Sequence, residues 1–346
     1  MIHQTLINSR VSNAHTSTSS SNSWQNALKN AFRDPVDLLN FLELPTESFT
    51  HSKFNSISFP MLVPLSFAQR MQPKNIRDPL LLQVLPQLNE LELDPRYSID
   101  PVGDIKSMVI PGLLHKYHGR VLLTLTGACA IHCRYCFRRH FPYSDANLNS
   151  TNLSQILDYI KNNHEVNEVI LSGGDPLSLS DRRISELMHQ IEAITHVQYL
   201  RIHSRLPIVL PERITPELVK LFHSIKLKIV FVIHCNHPNE INSQVTRQLK
   251  KLSQVGVHLL NQSVLLRDIN DDAHVLANLS KKLFELDIQP YYLHLLDKVS
   301  GAQHFDLPRS TAKNIYTKLQ ETTAGYLVPK MVEEIPGNAS KTPYTD

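Results

Sequence analysis

Residues 120–141 read RVLLTLTGACAIHCRYCFRRHF, and this stretch decides how the rest of the chain is read. After the leading arginine come apolar and β-branched residues, the composition of a strand buried on both faces. Gly127 breaks the run, and Cys129, Cys133 and Cys136 follow as C-x3-C-x2-C. Only one further cysteine, Cys235, occurs in the 346 residues. Cysteines this few and this clustered do not make a disulfide framework; in a reducing compartment they point to a bound metal or cluster. Spacing alone leaves two readings open. Three thiolates can hold three irons of a four-iron cube and leave the fourth open, or the triplet with His132 or His140 can make a closed Cys3His zinc site.

Downstream, strand-like runs return at NEVILS, QYLRIHS, KIVFVIH, VHLLNQSVLL and QPYYLHLL, beginning near Asn167, Gln198, Lys228, Val257 and Gln289. After the first interval the step is about thirty residues, the length of a strand–helix–strand unit. The amphipathic stretches between them carry helix punctuation: Thr215-Pro216-Glu217 at a start, and Gly256 and Gly325 where left-handed helix ends are expected. Six such βα units predict a parallel sheet. Polar or reactive residues follow nearly every strand: the cysteines, Gly173-Gly174-Asp175, Ser204-Arg205, His234-Cys235-Asn236, Asn261-Gln262 and Asp297. A doubly wound sheet concentrates its chemistry at one switch point, whereas a barrel collects it around one mouth. The expectation is therefore an α/β fold, a partial (open) six-stranded βα barrel, since six strands are fewer than a closed barrel needs.

Upstream, residues 1–23 include NAHTSTSSSNS and predict a Ser/Thr-rich disordered tail. Residues 24–100 predict a helical region broken by prolines, with DPVDLLNFLEL opening on an Asp cap and an early Pro, and Pro86 ending or kinking a helix. Residues 101–346 are assigned to the barrel and a C-terminal segment. Lys+Arg 35 against Asp+Glu 32 leaves +3, a balance that demands neither nucleic acid nor an anionic membrane. No apolar run approaches the ~18 residues of a membrane span, and no basic head with an apolar block marks a secretory signal, so a cytoplasmic setting is expected.

The triplet with Tyr135 before its last cysteine, placed after the first barrel strand, resembles the signature of radical S-adenosylmethionine (SAM) enzymes. The resemblance implies that Cys129, Cys133 and Cys136 hold a 4Fe–4S cluster whose open iron takes S-adenosyl-L-methionine, reductive cleavage giving a 5′-deoxyadenosyl radical. Gly173-Gly174-Asp175-Pro176 resembles the second-strand motif that meets the methionine amino group: glycines let backbone approach a ligand, and a carboxylate pairs with an ammonium.

The order RVLLTLTGACAIHCRYCFRRHF, SGGDPL, SRLPIVLPERIT, HCNHPNEI, NQSVLLRDIND, PGNASKTP is similar to that of lysine 2,3-aminomutases. The chain most resembles their short branch, which makes (R)-β-lysine from α-lysine for elongation factor P. By that resemblance Lys341 carries pyridoxal 5′-phosphate, with Tyr117 and Arg120 beside the coenzyme. Arg138 grips the substrate carboxylate, and Asp297 and Glu334 receive the ε-ammonium, Glu334 standing where longer members have an aspartate. His234, Asn236 and Gln262 line the mouth near the cofactors, and Asp272 replaces a zinc-binding cysteine, so no structural zinc is expected. The partners implied are lysine, an external electron donor and transient contact with elongation factor P or its ligase. Two other functions fit the residues: an aminomutase for another amino acid, and a binding protein stabilised by Cys3His zinc.

Overall fold

Strands with no polar face need cover on both sides, and that requirement shapes the sheet. The computed structural model describes residues 23–47, 56–144 and 150–344. The expected tail lies, but for Ser23, outside the described residues.

Ten strands form one sheet in chain order. A hairpin of β1 (Met108–Ile110) and β2 (Leu113–Tyr117) leads antiparallel into β3 (Arg120–Thr124). Then come β4 (Glu168–Ser172), β5 (Tyr199–Ser204), β6 (Lys228–His234), β7 (His258–Val264) and β8 (Ile288–His294), all parallel. These are the expected six strands. A further parallel strand, β9 (Lys330–Glu333), follows, and the two-residue β10 (Thr342–Pro343) pairs antiparallel with it. The terminal strands β1 and β10 are not paired, so the barrel is open.

Six helices cover the outside: α1 (Ser150–Asn162), α2 (Asp181–Glu192), α3 (Pro216–Ser224), α4 (Ser243–Ser253), α5 (Ala273–Phe284) and α6 (Arg309–Thr322). In α2 the Ser180 hydroxyl caps the Arg183 amide, and Ile184, Leu187, Met188 and Ile191 bury one stripe. Each such side chain contributes about 1.5–3 kcal/mol relative to exposure. Leu187→Asp would place a charge in that stripe and break it. The Thr215 hydroxyl caps α3 as expected, accepting from the Leu218 amide at 3.0 Å. Gly256 takes its left-handed conformation at φ +82°. Gly325 does not: α6 ends at Thr323 in extended backbone, and Gly325 opens a 3-10 turn with ordinary φ. Extended backbone at Thr323 carries the chain off the helix, so no left-handed residue is required.

The N-terminal helical region packs directly on the barrel: Trp24, Leu38, Phe67 and Leu80 share one buried cluster with Val121, Leu171 and Ile202. Two of its helices start on Asp caps followed by proline, at Asp34 and Asp78, and the second ends at Leu82, before Pro86. Ser98 bridges to Val299, so this region also meets the loop after β8.

Candidate active site

The cysteine loop hangs from the end of β3 and is tied to the N-terminal region by backbone and charge. The His132 amide donates to Leu62 O at 3.0 Å and the Arg134 amide to Gln83 O at 2.9 Å. Arg134 and Arg139 converge on Glu90, with Arg134 Nε 2.8 Å from Oε1 and Arg139 Nη2 2.7 Å from Oε2. All three side chains are buried. Within this frame the three cysteines are half-buried free thiols. Burial and the neighbouring Cys133 push the Cys136 thiol up to about 11, and burial beside Asp175 raises Cys129. Metal capture therefore releases protons.

Gly173 and Gly174 belong to the same frame. A Cβ on Gly174 would lie 2.4 Å from Ala128 O, and Gly173 stands at φ +124° with Thr126 O 2.7 Å from its missing Cβ. What approaches these glycines is the cysteine loop itself. Asp175 is engaged within the protein. Its oxygens accept from the Ser204 hydroxyl at 2.7 Å and from the amides of Arg205, Leu177 and Leu206 at 2.7, 3.0 and 3.2 Å. Burial pushes this carboxyl up to about 6, against the pull of those donors. Asp175 thus locks the loop after β4 to the loop after β5.

Behind the cysteines lies a polar network. Arg205 Nη1 donates to Cys133 Sγ at 2.7 Å and also contacts the Tyr135 hydroxyl. Its Nη2 donates to Gln83 Oε1 at 2.7 Å and Glu240 Oε2 at 3.1 Å. Asn236 falls in this network and not on the mouth: its Nδ2 donates to the Tyr135 hydroxyl at 2.6 Å, and its Oδ1 accepts from the Val264 amide. Asn236 thus braces this network.

On the mouth side, Arg138 is buried between Asp104 and the end of β4. Its Nε is 2.7 Å from Asp104 Oδ2 and its Nη1 3.0 Å from Ser172 Oγ, while Nη2 has no hydrogen-bond partner among the described residues. The β6–β7 register sets His234 against Gln262, and the amide donates to His234 Nε2 at 2.9 Å. Burial lowers His234 to about 3, which keeps the ring neutral. His203 and His294, inward on β5 and β8, have buried Nε2 atoms without a partner, and burial lowers both.

The open seam between β2 and β9 is closed by side chains. Tyr117 donates its hydroxyl to Glu334 Oε1, Lys341 Nζ lies 2.6 Å from Glu334 Oε2, and Lys116 Nζ lies 3.8 Å from Oε1. Lys116 also pairs with Asp104 Oδ1 at 2.5 Å, joining the seam to Arg138. Burial alone would raise Glu334, but Lys341, Tyr117 and Lys116 hold it below the ordinary carboxylate range. β10 pins Lys341 in place, since Thr342 is opposite Glu333 and the Tyr344 amide donates to Met331 O at 2.9 Å. Arg120 stacks 4.7 Å from the Tyr117 ring centroid and has no ion-pair partner among the described residues. Asp297 accepts no side-chain hydrogen bond there, and enclosure by protein pushes its carboxyl up to about 7, with Lys341 drawing it back.

The residues fit a cluster and an aldehyde coenzyme better than a closed zinc centre. His132 Nδ1 is 3.1 Å from Pro60 O and His140 Nε2 3.0 Å from Ser300 O, each engaged elsewhere. A four-iron cube takes each thiolate on a different iron corner, not all on one atom. Arg205 Nε is buried without a partner, and the Lys341 amine, held on Glu334, together with Arg120 suits a phosphate-bearing aldehyde. Asp272, expected to mark a lost zinc ligand, caps α5 through the His274 and Val275 amides.

Sequence reading missed Asp104, Lys116 and Glu90, whose roles rest on partners far along the chain. His203 and His294 carried a usable signal: period-two alternation places both on the inner face beside His234.

Residues 123–279 match the family model described as the radical SAM superfamily. The chain is 48% identical to the L-lysine 2,3-aminomutase of Escherichia coli (strain K12), over 94% of this chain and 95% of that protein. Identity to the Haemophilus influenzae L-lysine 2,3-aminomutase is 46%, over 93% and 96%. To that of Clostridium subterminale it is 37%, over 93% of this chain and 77% of the relative. Among solved structures, a radical S-adenosylmethionine methyltransferase from Kitasatospora setae gives a TM-score of 0.37 at 10% identity, covering 54% of this chain and 38% of that one. The cysteine loop at a parallel-barrel mouth and nearly full-length similarity lead to one conclusion: the chain belongs to the L-lysine 2,3-aminomutase family of radical SAM proteins.

Proposed function

We propose that this chain is a radical SAM isomerase that moves the α-amino group of L-lysine to the β-carbon, giving (R)-β-lysine for modification of elongation factor P. The observation that carries the reading is Lys341, held at the mouth 2.6 Å from Glu334, with Asp297 unpaired nearby and Arg138 offering Nη2. One guanidinium and two carboxylates match an amino acid with a distal ammonium. The ammonium of Lys341 already sits on Glu334, so that carboxylate is shaped to take such a cation.

When bound, the cluster with SAM would supply a hydrogen-abstracting radical, and pyridoxal phosphate, carried by Lys341, would supply a conjugated ring that stabilises radical character while nitrogen moves between neighbouring substrate carbons. Cys129, Cys133 and Cys136 would hold the cluster, and Arg120 and Tyr117 would flank the coenzyme. Arg138 orients the substrate carboxylate, while Asp297 and Glu334 fix its far end. The N-terminal region, through Arg134, Arg139 and the Ser98–Val299 bridge, helps exclude water from the mouth. No helix among the described residues is long and apolar enough to cross a membrane, and the four free thiols suit a reducing cytoplasm.

The test is anaerobic incubation with lysine, reductant, SAM and pyridoxal phosphate, followed by chiral chromatography. Formation of (R)-β-lysine is expected; its absence would contradict the reading. Lysine turnover left intact in Asp297→Ala and Glu334→Ala would favour an aminomutase for another amino acid. Contact with elongation factor P is part of the proposal, and binding of the two proteins in a pull-down tests it.

A further inference from the structure

We infer that Arg205 is a tuning residue for the cluster, raising its affinity for an electron through the sulfur of Cys133. The inference rests on the cluster assignment above and goes beyond it, because it concerns a side chain that is no ligand.

The geometry is specific. Arg205 is 5% exposed and fully committed on one edge: Nη2 is anchored by Gln83 Oε1 and Glu240 Oε2. Glu240 is itself fixed, since Oε1 accepts from the Asn236 and His237 amides at 2.9 and 3.1 Å and from Gln83 Nε2 at 3.2 Å. The backbone of Arg205 is tied to Asp175 Oδ2 at 2.7 Å. These anchors leave Nη1 pointing at Cys133 Sγ, 2.7 Å away, and Nε buried without a partner. The ion pair is therefore a fixed dipole, with its positive end on a cluster sulfur and its negative end behind.

A fixed N–H on a cluster sulfur and a positive charge beside it both favour the state holding one more electron. The step is a one-electron reduction by an external low-potential reductant, with no proton moved. Burial of the pair keeps the effect from being screened by solvent. A loop brace without electrostatic purpose would need neither a guanidinium nor contact with the sulfur, since Asp175 already holds the backbone.

The experiment is a potentiometric titration of the reconstituted, SAM-free protein with dithionite, followed by electron paramagnetic resonance, with iron and sulfide measured in each sample. Arg205→Gln is expected to lower the one-electron equilibrium constant about tenfold, which is ~59 mV toward more negative potential. Glu240→Gln removes the negative end of the dipole and is expected to move the potential the opposite way. Arg205→Lys keeps the charge but not the fork and should fall between Arg205→Gln and the wild type. If Arg205→Gln does not retain iron, Arg205→Lys and Glu240→Gln still carry the test through their opposite signs. A one-electron equilibrium constant within twofold of wild type in a fully loaded Arg205→Gln, or shifts of the same sign in both positions, would overturn the inference alone. A wild-type protein that takes up zinc and no iron overturns the cluster assignment as well.

Discussion

The two flanks of the barrel mouth are built differently. On the cysteine flank, buried ion pairs lock the loop into the body: Arg134 and Arg139 on Glu90, and Arg205 on Glu240. On the lysine flank, a two-residue strand and a side-chain chain, Lys341–Glu334–Tyr117, close an open seam. The first flank is over-determined and holds one geometry. In the second, the Lys341 amine must be able to leave Glu334 if it is to be modified and if a substrate ammonium is to take its place. Rigidity is spent where a cluster must be gripped, and compliance is kept where partners exchange.

The largest effects should separate the flanks by chemistry. Cys136→Ser is expected to lose the cluster and all aminomutase turnover, read as iron content and β-lysine formed. Lys341→Ala should also fall to background turnover yet keep its iron, losing only the visible absorbance of bound coenzyme. Loss of iron in Lys341→Ala would show that the flanks are not independent.

Stability should divide them next. Glu90→Ala leaves two buried arginines unpaired and is expected to destabilise the protein by about 3–5 kcal/mol in urea unfolding. Glu334→Gln, on the compliant flank, should change stability by no more than about 1 kcal/mol. Its kcat/KM for lysine should fall ~10- to 100-fold, the loss of one charge-assisted hydrogen bond. A smaller step comes from glycines. Gly174→Ala drives a Cβ into Ala128 O and should cost about 1–3 kcal/mol, measured as a drop in Tm. Gly325→Ala meets nothing within 4 Å and should stay within about 0.5 kcal/mol of wild type.

The most modest effect is in pH. Asp297 holds its proton up to about 7 because it is buried, and only the ionised form attracts an ammonium. The kcat/KM for lysine should therefore fall about tenfold per unit below pH 7, and Asp297→Asn should flatten that limb. For stability the sign is opposite. The folded carboxyl is protonated to about 7 and the unfolded one only to ~4. The contribution of Asp297 to stability is thus full below pH 4 and declines as pH rises to 7.

How much of this was legible depended on distance along the chain. The six strands could be read because burial on both faces leaves a local apolar imprint, and the cysteine loop because its ligands are neighbours. The stretch LVPKMVEEI holds β9, whose pairing with β8 depends on a long connection through α6 and is not local. The protein partners of Asp175 and Asn236 were not legible, because a polar residue after a strand reads the same whether it faces a ligand or a neighbouring loop. Here Asp175 meets residues about thirty positions on, and Asn236 meets Gln83 and Tyr135 across the fold. Arg205 was seen as a polar residue at a strand end, but its contact with Cys133, 72 residues away, appears only in three dimensions.

Radical formation requires an iron corner left open for SAM beside Cys129, Cys133 and Cys136. Electron paramagnetic resonance of the anaerobically reconstituted, reduced protein, before and after adding SAM, tests it most directly. About four irons per chain and a spectrum that changes on SAM addition are predicted. A spectrum indifferent to SAM, or a protein holding zinc in place of iron, would contradict it.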